Sequence, residues 1–131
     1  MSPTRAFTLF EISWEVAHRV GGIHTSISTK ARALSERASV AHVTIGPWML
    51  SAGDANAVLE PDPAYDGFAD VCRAAGLPVR VGRWRVPGRP LTVLVDFSAL
   101  LPAKDQILTE LWQRHEVDSL FGGWDYVEPV L

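Results

Sequence analysis

The chain has 131 residues, of which 47% are apolar and 21% charged, with 10 glycines and 9 prolines. That is the size and make-up of one globular domain; it excludes a disordered or fibrous chain and leaves no room for two full-sized lobes. A net charge of −3 speaks against a general nucleic-acid binder, which needs a basic footprint, and the single Cys72 excludes an internal disulfide, so a reducing, cytoplasmic setting is expected. The apolar stretch near the start is short and soon interrupted by Glu11 and Glu15, unlike a leader peptide, and no run of 18 apolar residues offers a membrane span.

In chain order, "AFTLFEI", Ala6 to Ile12, is a compact apolar and β-branched run that predicts a buried strand. The pair Gly21-Gly22 follows. From Ile23 to Glu36, apolar or small residues recur at Ile23, Ile27, Ala31 and Leu34, the spacing of one helical face, with Thr25 and Ser26 as capping residues near its start. "ASVAHVTIG", Ala38 to Gly46, predicts a second strand closed by Gly46-Pro47. Strand, glycine turn, helix and strand together make a βαβ unit with parallel strands.

Trp48 to Asp66 is acidic and proline-bearing and predicts an irregular loop. A short helix is expected over Tyr65 to Ala75, carrying Cys72 as a buried, unreactive thiol. "LPVRVGRWRV" and "RPLTVLVDF" predict two strands around a turn at Pro87-Gly88. After Pro102, Ile107, Leu108, Leu111 and Trp112 share one face of a second long helix, which places Trp112 in the core. The chain closes on "SLFGGWDYVEPVL", apolar and aromatic. The fold class is therefore α/β, with a mostly parallel sheet and a β-hairpin insertion.

The chemistry concentrates in "EVAHRVGGIHT", Glu15 to Thr25. A glycine turn that feeds a helix exposes unpaired backbone N–H groups and the positive end of the helix dipole, a natural anion site. Gly21 and Gly22 let a ligand approach, the N–H groups near Gly22 and Ile23 point at a phosphate, and Arg19 adds a planar charged fork. The motif is neither GxGxxG nor GxxxxGK[ST]. On spacing alone a lone RxGG more often means a simple chain reversal with Arg19 in solvent.

Other candidates carry less. His18, His24, His42 and His115 are scattered without metal-ligand spacing, so no metal site is expected. His18 and His24 flank the turn and could face a ligand, although a surface or packing role is simpler for each. Glu11 and Glu15, near the strand end, and His24 could touch a sugar or acceptor, although solvation or pairing with Arg19 is the simpler role for the two glutamates. Arg80, Arg83, Arg85 and Arg89 gather around Trp84. They form either a patch for an anion, glucan or nucleic acid or a hairpin with outward arginines, and the period-two spacing of Arg83, Arg85 and Arg89 favours the hairpin.

"LFEISWEVAHRVGGIHTSISTKA", "VTIGP" and "GLPVRVGRWRVPGRPLTVLVDFSAL", in this order, resemble the N-terminal lobe of the eukaryotic-type glycogen synthases from about Leu9 to Asp96. The resemblance implies that residues 1–131 form part of a Rossmann-like lobe of a retaining glucosyltransferase that passes glucose from UDP-glucose to the non-reducing end of an α-1,4-glucan. It implies Arg19, Gly21, Gly22 and Ile23 at the donor phosphates, and, because bacterial relatives carry Lys in the matching KxGG, a UDP-glucose donor over ADP-glucose. The family's remaining first-lobe strands, its donor-sugar histidine and the paired glutamates of its second lobe have no counterpart in these residues. The expectation is an amino-terminal piece without transferase activity of its own and without a further cofactor. Its uncovered sheet would favour a homo-oligomer. The alternative is a stand-alone, non-catalytic module that binds an anion or a partner.

Overall fold

The computed structural model describes residues 6–18, 21–49 and 52–117. By its internal contacts the chain divides into two compact units, Met1–Asp96 and Phe97–Leu131. The closing apolar stretch that begins at Ser119 lies outside the described residues.

The first unit is mixed α/β. Strand β1 (Phe7–Ile12) leads through a turn into helix α1 (Gly22–Ser35) and strand β2 (Val40–Pro47), which pairs in parallel with β1 from Phe7 opposite Val40 to Ile12 opposite Ile45. Helix α2 (Ala52–Val58), strand β3 (Leu59–Pro61), a 3-10 turn at Pro63–Tyr65 and helix α3 (Asp66–Ala74) follow. Strands β4 (Val79–Trp84) and β5 (Leu91–Val95) form the predicted hairpin. The sheet order is β1-β2-β5-β4-β3, with β5 parallel to β2 and the β4 and β3 pairings antiparallel. The parallel core with a hairpin on one side is consistent with a partial Rossmann-like lobe.

The hairpin reverses as its residues require. Gly88 adopts φ +95, and a Cβ there would stand 2.6 Å from the Ala31 carbonyl oxygen, so only glycine lets the turn rest against α1. On the α1 side of the sheet, Ile27 packs with Val16, Ala17, Leu59, Trp84 and Leu94, and Trp84 is 1% exposed. The hydroxyls of Thr44 and Thr92, both fully buried, lie 2.6 Å apart and satisfy each other across β2 and β5.

In this first unit four sequence expectations change. First, β1 exists but is not a buried strand: Phe10 is 61% and Ile12 75% exposed. It is the edge of the sheet among the described residues, and burial of an apolar strand depends on what covers it. Second, the stretch expected as an irregular loop holds α2 and β3, and Leu59 of β3 is fully buried. A three-residue strand has no periodicity to read. Third, α1 buries Ile27 and Ala31, but Ile23 in its first turn is exposed, and Thr25 and Ser26 do not cap it. Ser26 Oγ instead donates to the Gly22 carbonyl and Ser28 Oγ to that of Thr25. Fourth, Cys72 is only half-buried.

In the second unit a 3-10 turn over Ser98–Ala103, which contains Pro102, runs into helix α4 (Lys104–His115). Leu108 is its buried residue, whereas Trp112, expected in the core, is 48% exposed. Among the described residues no helix is long and apolar enough to cross a membrane.

Candidate functional site

Strand β1 ends where the Ser13 N–H donates to the Ile45 carbonyl at 3.0 Å, which extends the parallel ladder by one bond. The chain then coils tightly through Trp14 to Ala17. Ser13 Oγ accepts from the Glu15 N–H, the Val16 N–H donates to the Ser13 carbonyl, and the His18 N–H donates to that of Glu15. Ala17 sits at φ +57, a left-handed conformation that an alanine adopts at some cost and that surrounding packing must hold. That packing is present: Val16 is fully buried and Ala17 nearly so, both within the core cluster.

Gly46 of β2 makes this seating available. A Cβ at that position would stand 2.6 Å from the Val16 carbonyl oxygen and 2.7 Å from its Cβ. The glycine that ends the second predicted strand is thus the socket for the turn that follows the first.

Glu15, 6% exposed, turns back inside the loop, and its carboxylate accepts the backbone N–H of Gly21. This charge-assisted bond ties the start of α1 to the turn after β1. Gly21 is the N-cap of the helix; among the described residues no side chain caps that end, and the first turn contains no acidic residue. Gly21, Gly22 and Ile23 are all exposed. A Cβ on Gly22 would meet nothing within 4 Å, and one on Gly21 would make only an ordinary contact with Glu15. The packing of the described residues therefore does not require Gly22, and among them the space over it is open.

Of the residues singled out from sequence, Arg19 lies outside the described residues, while Gly21, Gly22 and Ile23 stand together at the C-terminal edge of the parallel strands. Glu15 is a loop anchor at the same place. His24 points inward, its ring edge-on to Trp84 at 5.4 Å between centroids. Glu11 faces α1 and is held by Lys30 Nζ at 2.9 Å and His42 Nε2 at 2.8 Å. His18 packs edge-on to Trp14, with its Nδ1 buried and unpartnered.

The arginines follow the hairpin reading. Arg85 and Arg89 pair with Glu60, and Arg83 stands 3.9 Å from Asp62. Arg80 lies over the Trp48 ring at 4.9 Å and donates to the Asn56 side chain. Among the described residues no three His, Cys, Asp or Glu side chains gather to hold a metal ion.

Chemically, the site is an uncapped helix start with its N–H dipoles toward solvent, anchored from within by Glu15. Such a terminus attracts anions through both hydrogen bonding and the helix dipole. The Glu15 carboxylate already occupies the Gly21 N–H, so an incoming anion would be met by the N–H groups that follow it. Sequence reasoning located the glycines but missed the anchor, because the bond from Gly21 to Glu15 spans six residues across a turn in which Ala17 is left-handed.

Comparison with known proteins gives this arrangement its context. A family model for glycogen synthase matches residues 11–122. The chain is 33% identical over 115 residues to the liver glycogen [starch] synthase of Rattus norvegicus, a match that covers 85% of this chain and 16% of the relative. Identity to the liver glycogen [starch] synthase of Homo sapiens is 32% over 118 residues, covering 88% of this chain and 17% of the relative. For the glycogen [starch] synthase of Dictyostelium discoideum it is 35% over 103 residues, covering 74% and 11%. The chain thus spans about one sixth or less of the length of these curated relatives. With the family match extending from the last two residues of β1 past the end of α4, the chain belongs to the glycogen synthase family.

Proposed function

We propose that the Gly21–Gly22 turn and the start of α1 form the diphosphate half-site for a nucleotide-sugar donor, UDP-glucose, in a retaining transfer of glucose to the non-reducing end of an α-1,4-glucan. The observation that supports this reading is the exposed, uncapped Gly21–Gly22 helix start, held from inside by the buried Glu15. Family membership supports the donor and acceptor classes. As the diphosphate leaves, negative charge grows on its oxygens; fixed N–H dipoles stabilise that growth without reorganising, and the Arg19 guanidinium adds a permanent charge. Arg19 in place of a lysine supports uridine over adenine in the donor. Glu15 acts as the positioning residue of the turn rather than as a sugar contact. The single Cys72 agrees with a reducing, cytoplasmic setting.

Half a cleft neither encloses the donor from water nor supplies the opposing charges, so the 131-residue chain binds UDP weakly and transfers no glucose. Calorimetric titration of UDP and uridine into this chain tests the reading. UDP binds and uridine does not; Arg19→Ala weakens UDP at least about tenfold, equivalent to roughly 1.4 kcal/mol. Glu15→Ala weakens it through loss of the Gly21 bond, whereas Glu15→Gln, which keeps an acceptor for that N–H, stays within about threefold of the unmodified chain. Equal affinity for UDP in the Arg19→Ala chain would falsify the phosphate role. Glucose transfer to glycogen by this chain alone, read as UDP release, would overturn the half-site description.

A further inference from the structure

The inward face of α1 runs through His24, Ile27 and Ala31, and the end of the β4–β5 hairpin meets it at both extremes. At the start of the helix the His24 ring stands edge-on to Trp84, with 5.4 Å between centroids and 82° between planes. Two turns further on, about 10 Å along the helix axis, Gly88 rests against the backbone of α1. A Cβ on Gly88 would stand 2.6 Å from the Ala31 carbonyl oxygen and 2.7 Å from Arg32 Cα.

That hairpin end is braced by its own backbone. The Trp84 N–H donates to the Pro90 carbonyl at 3.1 Å, the Val86 N–H to that of Trp84 at 2.8 Å, and the Arg89 N–H to that of Val86 at 2.9 Å. Gly88 and Arg89 are both left-handed, at φ +95 and +43, which makes the reversal tight. Trp84, 1% exposed, is fixed in the core cluster. One braced element therefore presents a ring to the start of α1 and a backbone to its middle, and so sets where the helix begins and how it is rotated.

The first turn of α1 depends on such a hold. By helix geometry, the N–H groups without an intrahelical acceptor are those of Gly21 to His24. Gly21, Gly22, Ile23 and Thr25 are exposed, and Glu15 ties only the Gly21 N–H, from the loop side. Among the described residues, His24 is the side chain of that turn directed into the protein.

We infer that the β4–β5 hairpin aims the N–H groups of the first turn, with Trp84 and His24 as positioning residues of the site. The inference rests on the donor-phosphate reading above for what those groups hold. Fixed dipoles stabilise a growing charge because they are already in place, so a first turn free to tilt binds a diphosphate more weakly. His24 acts through the edge of its ring against Trp84, a geometry that any aromatic side chain can supply and an aliphatic one cannot.

The test combines amide NMR, calorimetric titration with UDP and urea unfolding on the 131-residue chain and on His24→Leu, His24→Phe and Gly88→Ala. His24→Leu keeps an apolar, helix-favouring side chain without a flat edge. It shifts the ligand-free Gly21, Gly22 and Ile23 amide signals and weakens UDP about fivefold, which matches the worth of one aromatic pair. His24→Phe keeps the edge and returns both the amide signals and the affinity to within about twofold of the unmodified chain. Gly88→Ala, which presses on α1 about two turns from the site, moves the same amide signals. Unmoved signals in His24→Leu overturn the inference. So does an equal loss of affinity in His24→Leu and His24→Phe, which assigns the role to a ring nitrogen, or a loss that only follows the fraction of chain unfolded. If Gly88→Ala does not fold, the two His24 variants decide. If the unmodified chain binds no UDP, the donor reading fails, and the ligand-free amide signals still decide whether the hairpin sets the helix start.

Discussion

Strands β1 and β4 are each six residues long and lie in one sheet, yet their sequences and surroundings run in opposite senses. "FTLFEI" is mostly apolar and leaves Phe7, Phe10 and Ile12 exposed. "VRVGRW" carries two arginines and buries Val79, Val81 and Trp84. The difference lies in position. β4 has β5 on one side and β3 on the other, α3 against one face and the core cluster against the other. β1 has β2 alone as a strand partner among the described residues. Its alternation sends Glu11 toward Lys30 of α1, and therefore Phe10 and Ile12 to the face away from that helix. Apolar content shows that a segment can be buried; only its neighbours decide whether it is.

The sharpest way to break this contrast is to truncate the large aromatic residue of each strand. Trp84→Ala removes a side chain that is 1% exposed and supports both His24 and the core, so a loss of about 3–5 kcal/mol is expected in urea unfolding. Phe10→Ala removes an exposed ring and should cost less than about 1 kcal/mol in the same experiment. Comparable losses would mean that β1 is covered in solution.

Gly46 probes the join between the two parallel strands and the turn above them. In Gly46→Ala the new methyl meets backbone, not a flexible side-chain end, so Val16 must shift. An overpacking cost of about 1–3 kcal/mol is expected. Because Val16 adjoins Glu15, UDP affinity should fall as well, by more than in a control variant at exposed Gly67. A stable Gly46→Ala chain with unchanged UDP binding would uncouple the socket from the site.

Much of this was legible in the amino acids. The stripe Ile27, Ala31 and Leu34, the β-branched run of β2, the Pro87-Gly88 reversal and the Gly21-Gly22 pair are local signals, and each lies where its pattern places it. What escaped reading acts through space. The bond between Glu15 and Gly21 spans six residues across a turn with a left-handed Ala17, the pairing of Glu11 with His42 spans 31 residues, and β3 is too short to show alternation. Arg83, Arg85 and Arg89 illustrate the same limit: their outward spacing was visible, but their partners, Glu60 of β3 and Asp62 just after it, come from a stretch expected as loop.

The smallest expected change in stability belongs to the exposed face of β1, and there the informative quantity is association. Phe10 and Ile12 stand two residues apart on one face beside an edge that has no second strand among the described residues. Apolar side chains next to unpaired N–H and C=O groups favour pairing with another chain. Phe10→Lys with Ile12→Lys should leave urea stability within about 0.5 kcal/mol, because exposed positions contribute little to folding. The same variant places charge where a second chain would pair, a device by which natural edge strands resist association. In sedimentation velocity the unmodified chain is expected to self-associate with rising concentration and the double-lysine chain to remain monomeric. A chain that is monomeric without the lysines would show that the exposed edge is tolerated, and a variant that unfolds would show that β1 is packed by something beyond β2 and α1.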